Sequence, residues 1–190
     1  MTYKSKPGFL LHCCCAPCST YPLRILREDF NVTAFFYNPN IHPHKEYIAR
    51  KEEMENFAAR WGVLLIVGEY DIKEWFRRVK GYENEPEGGA RCEICYRMRL
   101  EKTVKLAREK GIPFFGTTLT ISPHKKAVVI NRIGKELEEI WGVNFYEADF
   151  KKKDGFKISC QISREEGLYR QDYCGCIFSL RERNRRKRHD

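Results

Sequence analysis

The sequence predicts an α/β fold with a mostly parallel, five-stranded sheet, and two observations support this prediction. Five short apolar runs, rich in β-branched and aromatic residues, alternate with segments that carry apolar residues at helical spacing. Strands separated by helices indicate βαβ crossovers, which build parallel sheets. Glycines also follow the helical segments at positions 62, 111 and 142, where they favour helix ends. The sequence therefore predicts a layered fold built around one sheet.

The first half of the chain contains three predicted strands and three predicted helices. Apolar, β-rich runs predict strands at 9–14, 32–37 and 63–67, and the second run ends at the turn sequence Asn38-Pro39-Asn40. Apolar spacing predicts helices at 19–28 and 44–61. Asp71 is suited to cap a third helix that extends to about Val79.

The second half continues the alternation after a polar loop at 81–89. We expect a helix at 92–110, a strand at 113–119, a helix at 122–141 that opens with Ser122-Pro123, and a strand at 143–146. Two short helices around Cys174 complete the chain. No repeat or linker interrupts this pattern, so residues 1–190 are expected to form a single domain with a basic C-terminal tail at about 181–190.

The charge of the chain favours a polyanionic partner. Lysines and arginines outnumber acidic residues by 35 to 26, which gives a formal net charge of +9. The excess is concentrated in the tail at 181–188 and in the Lys151-Lys152-Lys153 run. Such runs are often only solvated surface, but contact with nucleic-acid phosphates is the more specific interpretation.

The sequence also predicts where the protein works. Residues 1–7 are polar, and the apolar run that follows is too short for a secretory signal. No apolar run approaches the ~18 residues that a membrane span needs. We therefore expect a cytoplasmic protein with reduced cysteines and no membrane partner.

Nine cysteines carry most of the functional information, because eight of them lie in three tight groups. These groups are Cys13-Cys14-Cys15-x-x-Cys18, Cys92-x-x-Cys95 and Cys174-x-Cys176, while Cys160 stands apart. Adjacent cysteines and a C-x-C pair suit disulfides poorly, because such short loops strain the bridge. A catalytic dithiol at Cys92 and Cys95 and simple burial are the alternatives, but a metal site accounts for more of the cysteines.

The number of thiols points beyond a single structural zinc ion, which needs only four ligands. An excess of soft thiolates suits an iron–sulfur cluster and leaves ligands for a second metal. The first cysteine group follows the first predicted strand, and Asp149 follows the last one. Because ligands gather at the carboxyl ends of parallel strands, we expect these groups to face one cleft.

Four motifs together resemble the QueH family, the cobalamin-independent epoxyqueuosine reductases. They are His12-x-Cys14-Cys15-Ala16-Pro17-Cys18-Ser19, Gly89-Ala90-Arg91-Cys92-x-x-Cys95-Tyr96-x-x-Arg99-Leu100, Thr118-Leu119-x-x-Ser122-Pro123-x-Lys125 and Tyr173-Cys174-Gly175-Cys176-x-Phe178-Ser179. The resemblance extends in order over nearly the whole chain.

The resemblance implies an α/β fold of the Rossmann-like three-layer sandwich type and an oxidoreductase of queuosine biosynthesis. Its expected reaction removes the epoxide oxygen of epoxyqueuosine at the wobble position of a tRNA anticodon. The implied cofactors are a [4Fe-4S] cluster and a second mononuclear metal, iron or zinc. The implied partners are a tRNA with a queuosine-type anticodon and an external electron donor.

The family pattern uses seven of the cysteines, so Cys13 is left as an extra thiol and Cys160 as a core residue. We predict that the cluster is bound by Cys14, Cys92, Cys95 and Cys174. The second metal is assigned to Cys15, Cys18, Cys176 and Asp149.

Several other side chains are candidates for the chemistry. Asp149 is predicted to be an oxygen ligand or a proton relay, with a helix cap or surface carboxylate as the alternative. Tyr96 is a predicted catalytic residue. Like Tyr169 and Tyr173, it could donate a proton or stack on a base, or all three could be packing residues. His12 is expected in the core or beside the ligands. A zinc-stabilised RNA-binding module without catalysis is the alternative function, although it would not need seven thiolates.

Overall fold

A fully parallel sheet forms the centre of the chain in a computed structural model, which describes residues 5–188. Five strands build it in the order β3-β2-β1-β4-β5. The strands are β1 Gly8–Cys13, β2 Asn31–Phe36, β3 Leu64–Val67, β4 Phe114–Thr117 and β5 Asn144–Phe145. The predicted α/β class with a mostly parallel five-stranded sheet is therefore confirmed.

Seven helices within the described residues surround the sheet. They are α1 Ala16–Leu26, α2 His44–Arg60, α3 Ile72–Val79, α4 Ala90–Glu109, α5 Ala127–Trp141, α6 Gly155–Glu165 and α7 Ile177–Arg186. A short 3₁₀ helix at Thr118–Ile121 follows β4. None of these helices is both long enough and apolar enough to cross a bilayer.

Each face of the sheet has its own hydrophobic core, which gives the predicted three layers. Alternate residues of a strand point to opposite faces, and in β1 Leu10 packs with α3, α4, α5 and α7. Its neighbours Phe9 and Leu11 pack with α1 and α2 on the other face.

The central strand β1 lies at the topological switch point. Helices α1 and α2 lead the chain to one side of β1, whereas β4 and β5 lie on its other side. In open parallel sheets, ligands bind beyond the carboxyl ends of the strands at this point. Here that place is occupied by the residues that follow Cys13 of β1 and Thr117 of β4.

Two predicted helix starts are wrong, and both differences lie at this switch point. Helix α1 begins at Ala16 instead of Ser19, because Pro17 fixes a helical φ at the first turn. Helix α5 begins at Ala127 instead of Ser122. Side-chain hydroxyls hold the preceding segment in turns: Thr117 Oγ1 accepts from the Leu119 amide and Ser122 Oγ accepts from the His124 amide.

The basic tail is helical for much of its length. Residues 181–186 form the second half of α7, so most of the predicted tail is a continuation of a packed element. The last two residues of the predicted tail, 189 and 190, lie outside the described part of the chain.

Candidate metal centre and its cavity

Seven cysteines from three distant segments converge beyond the carboxyl ends of β1 and β4. The first segment joins β1 to α1, the second is the first turn of α4, and the third precedes α7. Cys14, Cys18 and Cys174 line one cavity of about 510 Å³. All nine cysteines of the chain are free thiols.

Cys14, Cys15 and Cys18 form a group that we call the thiol trio. Their sulfurs all lie within 4.8 Å of one another, and the Sγ atoms of Cys14 and Cys15 are 3.9 Å apart. The 3₁₀ segment holds the trio in place, since Thr118 Oγ1 accepts from the Cys14 amide at 3.3 Å. Thiolates around one zinc ion at about 2.3 Å would stand about 3.8 Å apart, so the trio fits a single metal ion.

Protonation is unevenly distributed within the trio. The pKa of Cys14 lies well below its usual range because the thiols of Cys15 and Cys18 donate to its sulfur. The same interaction with Cys14 raises the pKa of Cys15 to about 12 and that of Cys18 well above its usual range. The trio therefore shares one negative charge easily, and a bound cation would be needed to remove the remaining protons.

Cys92, Cys95, Cys174 and Cys176 form the second group, which we call the thiol quartet. Burial, together with the charges of the other three members, raises the pKa of Cys92 to about 12. All four therefore lie close enough to interact, yet among the described residues only the trio has three ligand atoms within 4.8 Å. The quartet is thus more widely spaced than a mononuclear site.

Amide groups already face two sulfurs of the quartet. The Gly88 amide donates to Cys92 Sγ at 3.2 Å, and the Ser179 amide donates to Cys176 Sγ at 3.3 Å. Cys176 is the N-cap of α7, where the helix dipole favours negative charge. Such N–H donors and the helix dipole both stabilise a sulfur that has lost its proton and carries negative charge.

A clamp of hydrogen bonds holds the Cys174-Gly175-Cys176 turn. The Arg50 guanidinium donates to the carbonyls of Cys174 and Tyr173 at 3.2 and 3.3 Å. The His42 amide donates to the Gly175 carbonyl at 2.7 Å, and the Tyr173 hydroxyl donates to the His42 carbonyl at 2.5 Å. Arg50 is buried and paired with Glu46 at 2.7 Å, so this clamp is rigid.

Two cations face the thiols from inside the protein. Arg99, on α4, is only 2% exposed and lines the cavity with Cys14 and Cys174. Lys125 also lines it. Burial opposes the charge of Lys125, but nearby Cys174 and Cys14 outweigh this effect and raise its pKa above the usual range. Arg99 and Lys125 both belong to the family motifs, but the sequence predicted no function for either side chain. Arg50 belongs to no motif, so nothing in the local sequence indicated its role.

The structure does not bring the two predicted catalytic side chains to the cavity wall. Asp149 forms an ion pair with Lys151 at 2.7 Å. The amide of the next residue, Phe150, donates to Thr120 of the 3₁₀ segment, whose Thr118 contacts Cys14. Tyr96 is 4% exposed on α4, and burial raises its pKa above the usual range, so it stays protonated at neutral pH. The Arg99 guanidinium lies 5.7 Å from its ring centre.

The other tyrosines occupy different environments. Tyr173 lines the cavity, and the guanidinium groups of Arg50 and Arg183 lie 5.1 and 5.5 Å from its ring centre. Burial raises the pKa of Tyr173 to about 12. Tyr169 is 45% exposed, and its hydroxyl donates to Glu46.

The two thiols outside the family pattern, Cys13 and Cys160, belong to neither group. Cys13 is fully buried on the face of the sheet that packs with α1 and α2, where burial raises its pKa to about 12. The prediction that Cys160 is a core residue is wrong: it is half-buried on α6, lines the cavity and accepts a hydrogen bond from Arg170 at 3.1 Å. The sequence pattern did not show which side of α6 carries Cys160, and in the structure that side faces the cavity.

His12 is the core histidine that the sequence predicted. Its Nδ1 contacts Thr117 Oγ1 at 2.9 Å, and its Nε2 contacts the Tyr37 carbonyl at 3.1 Å. Complete burial lowers its pKa to about 3. The neutral ring therefore donates from Nε2 and links β1 to β2 and β4.

Basic and aromatic side chains also contribute to the cavity lining. Arg170, Arg183 and Arg186 line it together with the half-exposed Phe156. Arg183 lies 3.6 Å from Asp172, whereas Arg186 is 72% exposed and lies 3.8 Å from Glu182. The predicted basic tail thus contributes two arginines to the cavity. Lys152 and Lys153 are exposed in the turn before α6.

Two solved structures illustrate the fold that this chain shares with other proteins. One is the U34-tRNA thiolase NcsA from Methanococcus maripaludis with its [4Fe-4S] cluster; it superposes with a TM-score of 0.57 at 13% identity and covers 93% of this chain and 62% of that one. Another is a predicted subunit of a tRNA methyltransferase from Methanocaldococcus jannaschii, with a TM-score of 0.54 at 14% identity, covering 84% and 89%. At such low identity these similarities establish the fold alone.

Sequence relatives are much closer. A protein of Histophilus somni named epoxyqueuosine reductase QueH is 44% identical over 178 residues, covering 93% of this chain and 73% of the relative. The protein of that name from Thermotoga maritima is 42% identical over 180 residues, covering 92% and 91%. A model of the family described as epoxyqueuosine reductase QueH matches residues 9–182. The chain therefore belongs to the QueH family of epoxyqueuosine reductases, a family of oxidoreductases.

Proposed function

We propose that this protein reduces epoxyqueuosine to queuosine at the wobble position of tRNA, with a [4Fe-4S] cluster and a second metal ion bound by its seven clustered cysteines. The observation that carries the proposal is the convergence of these thiols at one end of the sheet, where Cys14, Cys18 and Cys174 line a cavity, in a chain of the QueH family. The fold neighbour NcsA, which acts on a tRNA and holds a [4Fe-4S] cluster, is consistent with it.

The overall reaction converts an epoxide to an alkene, consumes two electrons and two protons, and releases water. When bound, the cluster supplies electrons one at a time, and a second metal with an open position supplies a Lewis acid for the epoxide oxygen. The protein therefore requires an external electron donor. Both the tRNA substrate and the free thiols agree with a cytoplasmic location.

We propose that the trio of Cys14, Cys15 and Cys18 holds the second ion, iron or zinc, and that the quartet holds the cluster. Three sulfurs within 4.8 Å can share one ion. A cluster instead binds each thiolate at a different iron, which suits the wider quartet. Relative to the sequence prediction, this assignment moves Cys14 from the cluster to the second metal and Cys176 from the second metal to the cluster. Cys92, Cys95 and Cys174 stay on the cluster.

A matched pair of variants tests the assignment. Cys176→Ser should abolish the cluster absorbance, whereas Cys14→Ser should keep it and lower only the content of the second metal. Loss of the absorbance in Cys14→Ser with retention in Cys176→Ser would instead support the grouping that the sequence predicts.

The remaining residues are proposed to handle charge and protons. Lys125 faces Cys14 and Cys174 in the cavity, where its ammonium group can donate to the oxygen that leaves the epoxide. Tyr96, which stays protonated, is proposed to be a proton donor. Asp149 is proposed to be an oxygen ligand or proton relay, since its loop is hydrogen-bonded to the 3₁₀ segment that contacts Cys14.

We propose that the cavity receives the modified base. Its volume of about 510 Å³ lies in the range of small-ligand sites. A base can stack on the exposed part of Phe156, while Arg170 and Arg186 contact the neighbouring phosphates.

The proposed function is tested with anaerobically reconstituted protein, a chemical reductant and tRNA that carries epoxyqueuosine. Nucleoside mass spectrometry should show a product lighter by one oxygen atom. The reaction should need both the reductant and the cysteines of the quartet. A protein that binds the tRNA and zinc but neither carries iron nor converts the nucleoside would be the non-catalytic module instead.

A further inference from the structure

Arg99 is a buried cation that has no acidic partner within residues 5–188. Its side chain is 2% exposed, and its hydrogen bonds go from Nε to the Cys95 carbonyl at 3.3 Å and from Nη1 to Asn38 Oδ1 at 3.4 Å. Both acceptors are neutral, and Nη2 has no partner among the described residues. A permanently charged guanidinium is costly to bury in such surroundings unless negative charge lies nearby.

Thiols are the main groups around Arg99 that can carry negative charge. Arg99 lies one helical turn after Cys95 on α4 and lines the cavity with Cys14 and Cys174. Cys95 and Cys174 are the groups whose charges most favour its charged form. The other fully buried arginine of α4, Arg91, differs because it has Glu182 at 3.6 Å and backbone carbonyls as partners.

We infer that Arg99 is a positioning residue that makes the cluster easier to reduce, by holding a fixed positive charge beside Cys95 and Cys174. This inference rests on the proposed function. Reduction adds one electron to a centre that the thiolates already make negative, and a nearby fixed cation stabilises the more negative state. Burial strengthens the effect because little water screens it.

The test is the midpoint potential of the cluster in the reconstituted protein, followed by its absorbance during titration with a reductant. Arg99→Met should lower the equilibrium constant for one-electron reduction of the cluster at least tenfold, which corresponds to a midpoint potential lower by about 59 mV. Arg99→Lys keeps the charge and should stay much closer to the wild type. Lys102→Met removes a charge from the same helix, where the ammonium is 42% exposed near Asp71, and serves as the matched control with an unchanged potential.

A second variant covers the case in which Arg99→Met fails to fold or to bind iron. Asn38→Asp places a carboxylate at the Nη1 contact and should lower the potential in the same direction, whereas Asn38→Ala, which loses the same amide donor, should lower it less. A full cluster with a wild-type potential in Arg99→Met, or in Asn38→Asp, would overturn the role of Arg99 alone. Wild-type protein that binds no cluster would instead overturn the proposed function.

Discussion

Replacing Gly175 with alanine should damage the metal centre more than the fold. Gly175 lies between two cysteines of the quartet and has a φ of +124°, a conformation that costs a residue with a side chain on the order of 1–3 kcal/mol. An added Cβ would also lie 3.0 Å from Arg50 Nη1 and 3.1 Å from Ile41 Cγ1. The same Nη1 donates to the Cys174 carbonyl, so the new methyl group presses on the clamp.

The size of the effect follows from these contacts. A loss of about 1–3 kcal/mol lowers the Tm of the metal-free protein by roughly 2–4 °C per kcal/mol. Disturbing the groups that orient metal ligands typically lowers metal affinity by about 10- to 100-fold. We therefore expect Gly175→Ala to fold but to retain little iron after a desalting step.

The assay combines thermal unfolding of the metal-free protein with iron and sulfide analysis after reconstitution. Gly142→Ala is the matched control, because Gly142 has a φ of +65°, caps α5 and leaves open space within 4 Å of the point that a Cβ would occupy. That control should lose about 1–2 kcal/mol and keep its full iron content. Full iron content and normal turnover in Gly175→Ala would refute the reasoning about the clamp.

Three further predictions address the ligands, the loop after β5 and the RNA. Cys92→Ser should abolish the cluster absorbance, and a variant that keeps the absorbance would remove Cys92 from the ligand set. Asp149→Asn should keep the cluster but lose turnover, whereas Lys151→Met, which removes only the ion-pair partner, should remain active; normal turnover of Asp149→Asn would leave Asp149 a structural role. Arg186→Gln should weaken tRNA binding and reduce the salt slope by about 0.7–0.9 for one lost phosphate contact, and an unchanged slope would make Arg186 solvated surface.

Local patterns were sufficient to predict the sheet and the convergence of the thiols. The alternation of apolar runs and helical segments predicted all five strands, because β-branched runs and glycine stops act within a few residues. Helix starts were harder, since Pro17 and the hydroxyls of Thr117 and Ser122 shift them by three to five residues.

The grouping of the cysteines and their supporting residues could not be predicted from local sequence. The close approach of the Cys14 sulfur to those of Cys15 and Cys18, on which the proposed regrouping of Cys14 and Cys176 rests, depends on how the chain leaves β1 and enters α1. Arg50 contacts Cys174 across 124 positions of the chain, and no local pattern encodes such a contact. Likewise, the sequence does not show that Arg99 Nη2 has no hydrogen-bond partner among the described residues, because that depends on the folded surroundings of the side chain.

The iron and acid-labile sulfide content of anaerobically purified protein tests the central claim most directly. The seven clustered thiols predict about four iron and four sulfide per chain, with up to one further metal ion. The protein should be brown, with absorbance near about 400 nm that a reductant bleaches. A colourless protein with one zinc ion and no sulfide after anaerobic purification and reconstitution would contradict the account.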